Sequence, residues 1–418
     1  MERTDAIVLG AGIVGTCVAL HLSKRGLRVA LVDRRGPGEE TSYGNAGVIE
    51  GNTVFPAAFP RRLSAVMRVA LKRATEANYH LTFLPKAARW LLAFQRASVP
   101  QKLVETARVM RPLFAQAVEA HDALLAEAGA LRYLRMNGWL KVYRSEEGFA
   151  ALASEIALAE EFGIPHEKLG AEAVHALEPA LGAVARHGVH WQGVASLSNP
   201  LAVTQAYAAR FTGLGGVLRR GDARSLQRAD GHWRVQTDDG PVDAGDVVVA
   251  LGPFAPDVLK PLGIKLPLGI KRGYHRHFRA AAAAAPLTRP VLDAEVGYCV
   301  APMEQGLRLT TGAEFAAPHA PPTPVQFDRL MPAARELFPL GEPVESAPWM
   351  GCRPCFADSR PVIGRAPGAA GKDGLWLAYG HGHWGLTLAA ITGRLIAEML
   401  TGTTPFCDPV PYGAERFG

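Results

Sequence analysis

The 418-residue chain contains no run of eighteen apolar residues, about the length a bilayer-spanning helix needs. No membrane-crossing segment is therefore expected. Cysteine is scarce, with five in all, an odd number. That excludes a disulfide framework and suits a reducing compartment, so a cytoplasmic location is expected. Charge of one sign is in short supply as well. Forty-five Lys and Arg stand against 39 Asp and Glu, a net charge of +6. As a total this says little about partners, and no nucleic-acid partner is expected. No internal repeat is evident. Apolar residues are plentiful at 48%, against 20% charged, which excludes a disordered chain. A chain this long is expected to form two domains or more.

The first informative pattern is at the N-terminus. Asp5-Ala6-Ile7-Val8-Leu9 reads as a short buried strand. Gly10-Ala11-Gly12-Ile13-Val14-Gly15 follows, then a helical pattern to Arg25, Gly26, and a second strand from Arg28 ending at Asp33. Gly10 permits the tight turn, Gly12 lets backbone approach a pyrophosphate, and Gly15 lets the helix pack on the strand. The helix N-terminus offers free N–H groups and a positive dipole to phosphates. Asp33 stands where a carboxylate accepts hydrogen bonds from ribose hydroxyls. The pattern predicts dinucleotide binding. The apolar stretch from Ala6 to Leu20 could pass for a secretion signal, but it follows Glu2 and Asp5 rather than a basic cluster, and its glycines are spaced for a turn.

After Asp33 come Arg34 and Arg35, then Thr41-Ser42-Tyr43-Gly44-Asn45-Ala46-Gly47, a small, polar, glycine-rich loop suited to close backbone packing on a ligand. Here the sequence resembles the FAD-dependent D-amino-acid oxidase superfamily, most nearly the bacterial D-amino-acid dehydrogenases. The resemblance continues through Glu178-Pro179-Ala180-Leu181, Val247 to Gly252, Gly351-Cys352-Arg353-Pro354, Asp358 to Gly364, and Gly380 to Thr387. It implies FAD as cofactor. It also implies FAD contacts from Gly10, Gly12, Ile13, Val14, Gly15, Asp33, Arg34, Arg35, Thr41, Ser42, Gly44, Asn45, Ala46 and Gly47. From later in the chain it adds Ala223, Gly252, Gly351, Gly382, His383, Gly385, Leu386 and Thr387.

Five residues are candidates for substrate chemistry. Arg353 can hold a carboxylate in a bidentate fork that lysine cannot reproduce, and the resemblance gives it the substrate α-carboxylate. Tyr298 opens a β-hairpin reading (Gly297 to Pro302, then Leu307 to Gly312), where related oxidases place a tyrosine on the same carboxylate. The resemblance implies that His383 faces the substrate, to select its side chain or assist deprotonation of its amine, and that Trp384 walls the pocket. His275, with Tyr274 beside it, is expected to reach the same pocket. Cys352 and Cys355 form a CxxC, and His275/His277 and His381/His383 form HxH pairs. With one CxxC, whose middle residues the arginine motif explains, no metal site and no functional disulfide is expected.

The expected fold is α/β, a Rossmann-type FAD-binding domain (1–60, 145–255 and 356–418) interleaved with an α+β substrate domain built on an antiparallel sheet (61–144 and 256–355). Residues 61–130 read as a helical insertion interrupted near Pro85, Pro100 and Pro112, and Ser145 to Gly163 as one helix. The stretch Ala280 to Ala285 reads as surface. Between Arg61 and Arg111 stand eleven Lys/Arg and only Glu76 and Glu105, with Trp90, Leu91, Leu92 and Phe94 interleaved. That composition suits peripheral docking on the inner face of an anionic membrane, where a quinone acceptor would be found, as well as an ordinary solvated face. The resemblance implies oxidation of a D-amino acid at its Cα–N bond, hydride passing to flavin N5 and the imine hydrolysing to a 2-oxo acid and ammonia. Electrons would pass to a quinone or another carrier. A secondary amine such as D-hydroxyproline, sarcosine or an opine is the alternative substrate. A flavin subunit without chemistry of its own is the alternative class.

Overall fold

The computed structural model describes residues 2–52, 55–56, 58–60, 62–281, 285–368 and 372–418. Strand Glu2–Leu9 carries Ala6, Ile7, Val8 and Leu9, none with any exposed surface. A strand apolar on both faces belongs inside a parallel sheet. It pairs in parallel with Val29–Asp33 on one side and Gly240–Val249 on the other. Val217–Ala229 extends the first side and Leu375–Tyr379 the second, both in parallel. His232–Thr237 and Val362–Arg365 add antiparallel pairs to complete seven strands.

Helices Ile13–Lys24, Pro200–Gly213 and Ala389–Leu400 cover one face through Cys17, Leu20, Tyr207, Phe211, Ile391 and Leu395. The first and last of these cross closely. A Cβ at Gly393 would lie 2.6 Å from the Cys17 backbone, so only glycine fits.

The second sheet has eleven mostly antiparallel strands. Its long central strand, Gly269–Ala280, pairs with Gly306–Thr310 on one edge and Trp349–Cys355 on the other. Helix Val325–Leu337 packs on one face, against Tyr274, Phe278, Tyr298, Val300, Leu307 and Leu309. The opposite face turns toward the first sheet. The expected hairpin is present as Tyr298–Met303 and Gly306–Thr310.

Several boundaries differ from expectation. Residues 145–191 do not stay with the first sheet, because His166–Gly170 and His187–Trp191 pair with Trp139–Tyr143 in the second. Ser145 to Gly163 is two helices, Glu146–Ala150 and Ala153–Glu161. Pro85 and Pro100 lie in the first turn of helices Leu84–Ala97 and Pro100–Glu127, where the missing N–H costs nothing. Pro112 lies inside the latter helix without ending it. An interior proline costs about 3 kcal/mol, but burial of Met110, Leu113, Phe114, Leu124 and Leu125 offsets it at roughly 1.5–3 kcal/mol per large side chain. That buried side packs on the helices of the first sheet, so the insertion is not confined to the second domain. It also contains a strand, Ala77–Tyr79. Of the Ala280 to Ala285 stretch, residues 282–284 lie outside the described residues, as does Arg61. Among the described residues no helix is long and apolar enough to cross a membrane.

Candidate active site

A cavity of about 1300 Å³ runs between the two sheets, above the roughly 300–1,000 Å³ of ordinary ligand pockets. One end is the glycine turn. Gly10 has φ +103°, and a Cβ there would meet Ala250 O at 2.6 Å. Gly15 lies beneath it, where a Cβ would meet Gly10 O. Gly12, Ile13 and Val14 face the cavity at the helix N-terminus. The Asp33 carboxylate is fixed at the end of its strand by the N–H groups of Ala11 (2.6 Å) and Arg35 (2.9 Å). Ser42 Oγ accepts from Ile13 N–H at 2.9 Å, so the second loop folds over the first turn.

Most of the expected cofactor set lines this cavity. Arg34, Thr41, Ser42, Gly44, Asn45, Ala46, Ala223, Gly252, Gly351, Gly382, Gly385 and Leu386 are all in its wall. Four residues are not. Gly15 supports the turn from below. Arg35 turns to Glu40, 3.1 Å away. Gly47, with φ +73°, lies against Leu197 O. Thr387 ties two loops together, accepting from Glu50 N–H and donating to Val48 O.

Arg353 lies opposite Lys271 in the strand register. Its Nη1 donates to Gly312 O at 2.8 Å and its Nη2 to Thr311 O at 3.3 Å. A Cβ at position 273 would come within 2.4 Å of that Nη2, so Gly273 makes the berth for the guanidinium. Among the described residues no carboxylate pairs with Arg353, and it lines the cavity. Burial opposes its charge. His383 is open to the cavity, in the turn Gly382–Trp384. Burial, with the charges of Arg353 and Lys271, holds its imidazole well below the usual range and hence neutral. Trp384 is buried in the wall, edge-on to Phe114 at 5.1 Å.

Tyr298 and His275 are not brought to Arg353. The Tyr298 hydroxyl donates to Ala333 O at 3.2 Å, on the helix-covered face of the sheet. Its strand neighbour Cys299 takes the cavity side with Thr310. His275 is stacked behind Trp349 at 4.9 Å, with Nδ1–H donated to Gly44 O. Trp349 occupies the wall in its stead. Burial lowers the His275 pKa to about 2. Tyr274 also points away, its hydroxyl donating to Glu314 at 2.6 Å. Cys352 and Cys355 are three apart on one strand, so they face opposite sides, and both are free.

The glycine turn, the backbone-held Asp33 carboxylate and the slot between Gly44, Gly351 and the Gly382–Leu386 turn fit a flavin adenine dinucleotide. The FAD-dependent oxidoreductase family DAO matches residues 5–399. The chain belongs to that family. Its cofactor is FAD. Family relatives extend over the full length. A D-amino acid dehydrogenase of Chromohalobacter salexigens is 29% identical, covering 99% of both chains. A D-amino-acid oxidase of Bradyrhizobium diazoefficiens is 30% identical, covering 100% of this chain and 99% of the relative. The crystal structure of glycine oxidase from Geobacillus kaustophilus has the same fold, with TM-score 0.75, 21% identity and 99% of both chains covered.

In this FAD-dependent oxidoreductase two basic residues escaped sequence reasoning. Lys271 is buried, lines the cavity and stands 4.0 Å from the Phe94 ring centroid and 5.2 Å from that of Trp90. Burial, assisted by Arg353, lowers its pKa. Arg308 is buried behind the Thr41–Gly47 loop and donates to Tyr43 O and Asn45 O, both at 2.8 Å. Its Nε donates to His277 Nε2 at 2.9 Å, and His277 Nδ1 in turn bonds Glu345. The signal available was alternation: Lys271, Gly273, His275 and His277 share one face of a strand.

Proposed function

We propose that this oxidoreductase oxidises a D-amino acid to the corresponding 2-oxo acid and ammonia, passing electrons to a quinone or another carrier. The observation that carries this reading is Arg353, a cavity-lining guanidinium without a carboxylate partner among the described residues. It would take the substrate carboxylate as a fork. Bound FAD supplies the two-electron acceptor chemistry. The chain's own residues supply position. Arg353 fixes the carboxylate, the Gly44–Ala46 loop and Gly351 set the approach to the cofactor, and Trp384 closes the wall. His383 faces the same cavity and is placed to contact the substrate side chain. The residues around the Gly10 turn and Asp33 would hold the adenosine diphosphate half of FAD, within the unit built on the seven-stranded sheet. The relatives' names support an amino-acid substrate of D configuration.

Anaerobic mixing of the FAD-loaded protein with a panel of D-amino acids, N-substituted glycines and cyclic imino acids tests the proposal. D-amino acids should bleach the oxidised flavin. If only secondary amines do so, the substrate class is theirs. If none does, the proposal fails.

A further inference from the structure

Lys271 and Gly273 line the cavity from the long strand Gly269–Ala280, and alternation puts Gly269 on the same side. A Cβ at Gly269 would lie 2.3 Å from the Trp90 ring, as one at Gly273 would crowd the Arg353 guanidinium. The two glycines therefore make room for Trp90 on one side of Lys271 and for Arg353 on the other. The Trp90 indole is fixed there, its Nε1–H donated to Cys355 O at 3.0 Å. Lys271 itself is 6% exposed. Its ammonium lies over the Phe94 and Trp90 rings, which attract a cation without neutralising it. Lys271 and Arg353 are direct cross-strand partners, and like charges so placed repel. The charges of both bear on the buried His383 ring. The neighbouring Arg272 shows the opposite treatment. On the other face of the strand its Nε donates to Glu314 at 2.7 Å. Among the described residues no carboxylate pairs with Lys271 or Arg353. Of the acids in the cavity wall, Glu76 pairs with Arg68 and Glu155 with Lys141.

We propose that this pair of cations selects a dicarboxylic substrate, with Arg353 on the α-carboxylate and Lys271 on a second carboxylate carried by a short side chain or by the nitrogen. Arg353 keeps the role proposed above, on which this assignment rests. A neutral substrate would leave the buried ammonium without a partner, whereas a second carboxylate completes it with a charge-assisted hydrogen bond. A site built for such a bond discriminates against the analogue that lacks it.

The test uses the FAD-loaded full chain. Turnover of D-aspartate and D-glutamate is compared with that of D-asparagine and D-glutamine, which have nearly the same shape without the charge. The acid is expected to exceed its amide in kcat/KM by about tenfold or more. Iminodiacetate against sarcosine asks the same of a carboxylate on the nitrogen, and the larger ratio shows which atom carries the second carboxylate. Lys271→Met should bring the preference close to unity, and Lys271→Arg should keep most of it. A merely structural lysine would leave the ratio unmoved. A second measurement needs neither variant nor turnover. Perturbation of the flavin absorbance by succinate should saturate at a concentration about tenfold or more below that for butyrate. Amides as good as acids with sarcosine as good as iminodiacetate, a Lys271→Met variant with the wild-type ratio, or butyrate binding as tightly as succinate overturns the proposal. Bleaching by neutral D-amino acids with no preference for a second carboxylate would overturn it while the D-amino-acid reaction stands. Tighter binding of succinate in a protein that no D-amino acid bleaches would support the cation pair and defeat the reaction.

Discussion

At the scale of single residues, Arg353 and Gly273 act as a pair. Replacing Arg353 by Ala should raise KM about 100-fold or more, the worth of a charge-assisted fork. Lysine should recover only part of that loss. Gly273→Ala should resemble the arginine variants in steady-state kinetics while keeping its flavin, because the new Cβ displaces the guanidinium. Unchanged KM in either variant would remove Arg353 from substrate binding. Tyr298→Phe should leave KM within about twofold and cost about 1 kcal/mol of stability, since its hydroxyl serves Ala333 O. The place of Arg353 in the cavity wall was legible because its motif is local. Tyr298 was misjudged because the side of a strand residue depends on pairing register, and a one-residue offset reverses it. For Lys271 only its strand face could be read, because its aromatic neighbours Trp90 and Phe94 come from a distant helix.

Among elements, the glycine turn and its flanking strands could be read directly, since strand, turn, helix and acid are consecutive in the chain. The Gly44–Ala46 loop was also recognised, but not what holds it. Arg308, oriented by His277 and Glu345, ties Tyr43 and Asn45 by their carbonyls. Replacing Arg308 by Met keeps the bulk and removes the donors. The variant should release FAD about tenfold more readily, an effect visible as recovery of free-flavin fluorescence on dilution. Retention equal to wild type would show that the loop needs no clamp. Helix Pro100–Glu127 marks the limit of local reading, for Pro112 suggests a break that tertiary burial overrides.

Taken whole, the molecule buries many of its histidines in neutral form. Burial lowers His21 and His381 to about 3, His121 to about 4 and His275 to about 2. Each lies below its unfolded value near 6.5, so below that pH the unfolded chain binds more protons. Stability should therefore be full above about pH 6.5 and fall as pH drops, by about 1.4 kcal/mol per histidine per pH unit. For the four together the loss approaches about 5 kcal/mol near pH 5.5. Urea midpoints at pH 7.5 and 5.5 measure it, and equal midpoints would mean that these rings are not held neutral by the fold. The parallel strands around the glycine turn were legible from the order of the motifs. The strands of residues 166–191 were not, because only pairing across the second sheet assigns them.

The close crossing at Gly393 has a consequence for synthesis. Helix Ile13–Lys24 emerges from the ribosome early, yet its apolar partner Ala389–Leu400 lies about 365 residues further on. At roughly 5–20 residues per second, the wait is about 20–70 seconds. Helix Pro200–Gly213 covers part of it midway, but the side that meets Ala389–Leu400 stays uncovered throughout that interval, so the glycine-turn end is finished last although it is made first.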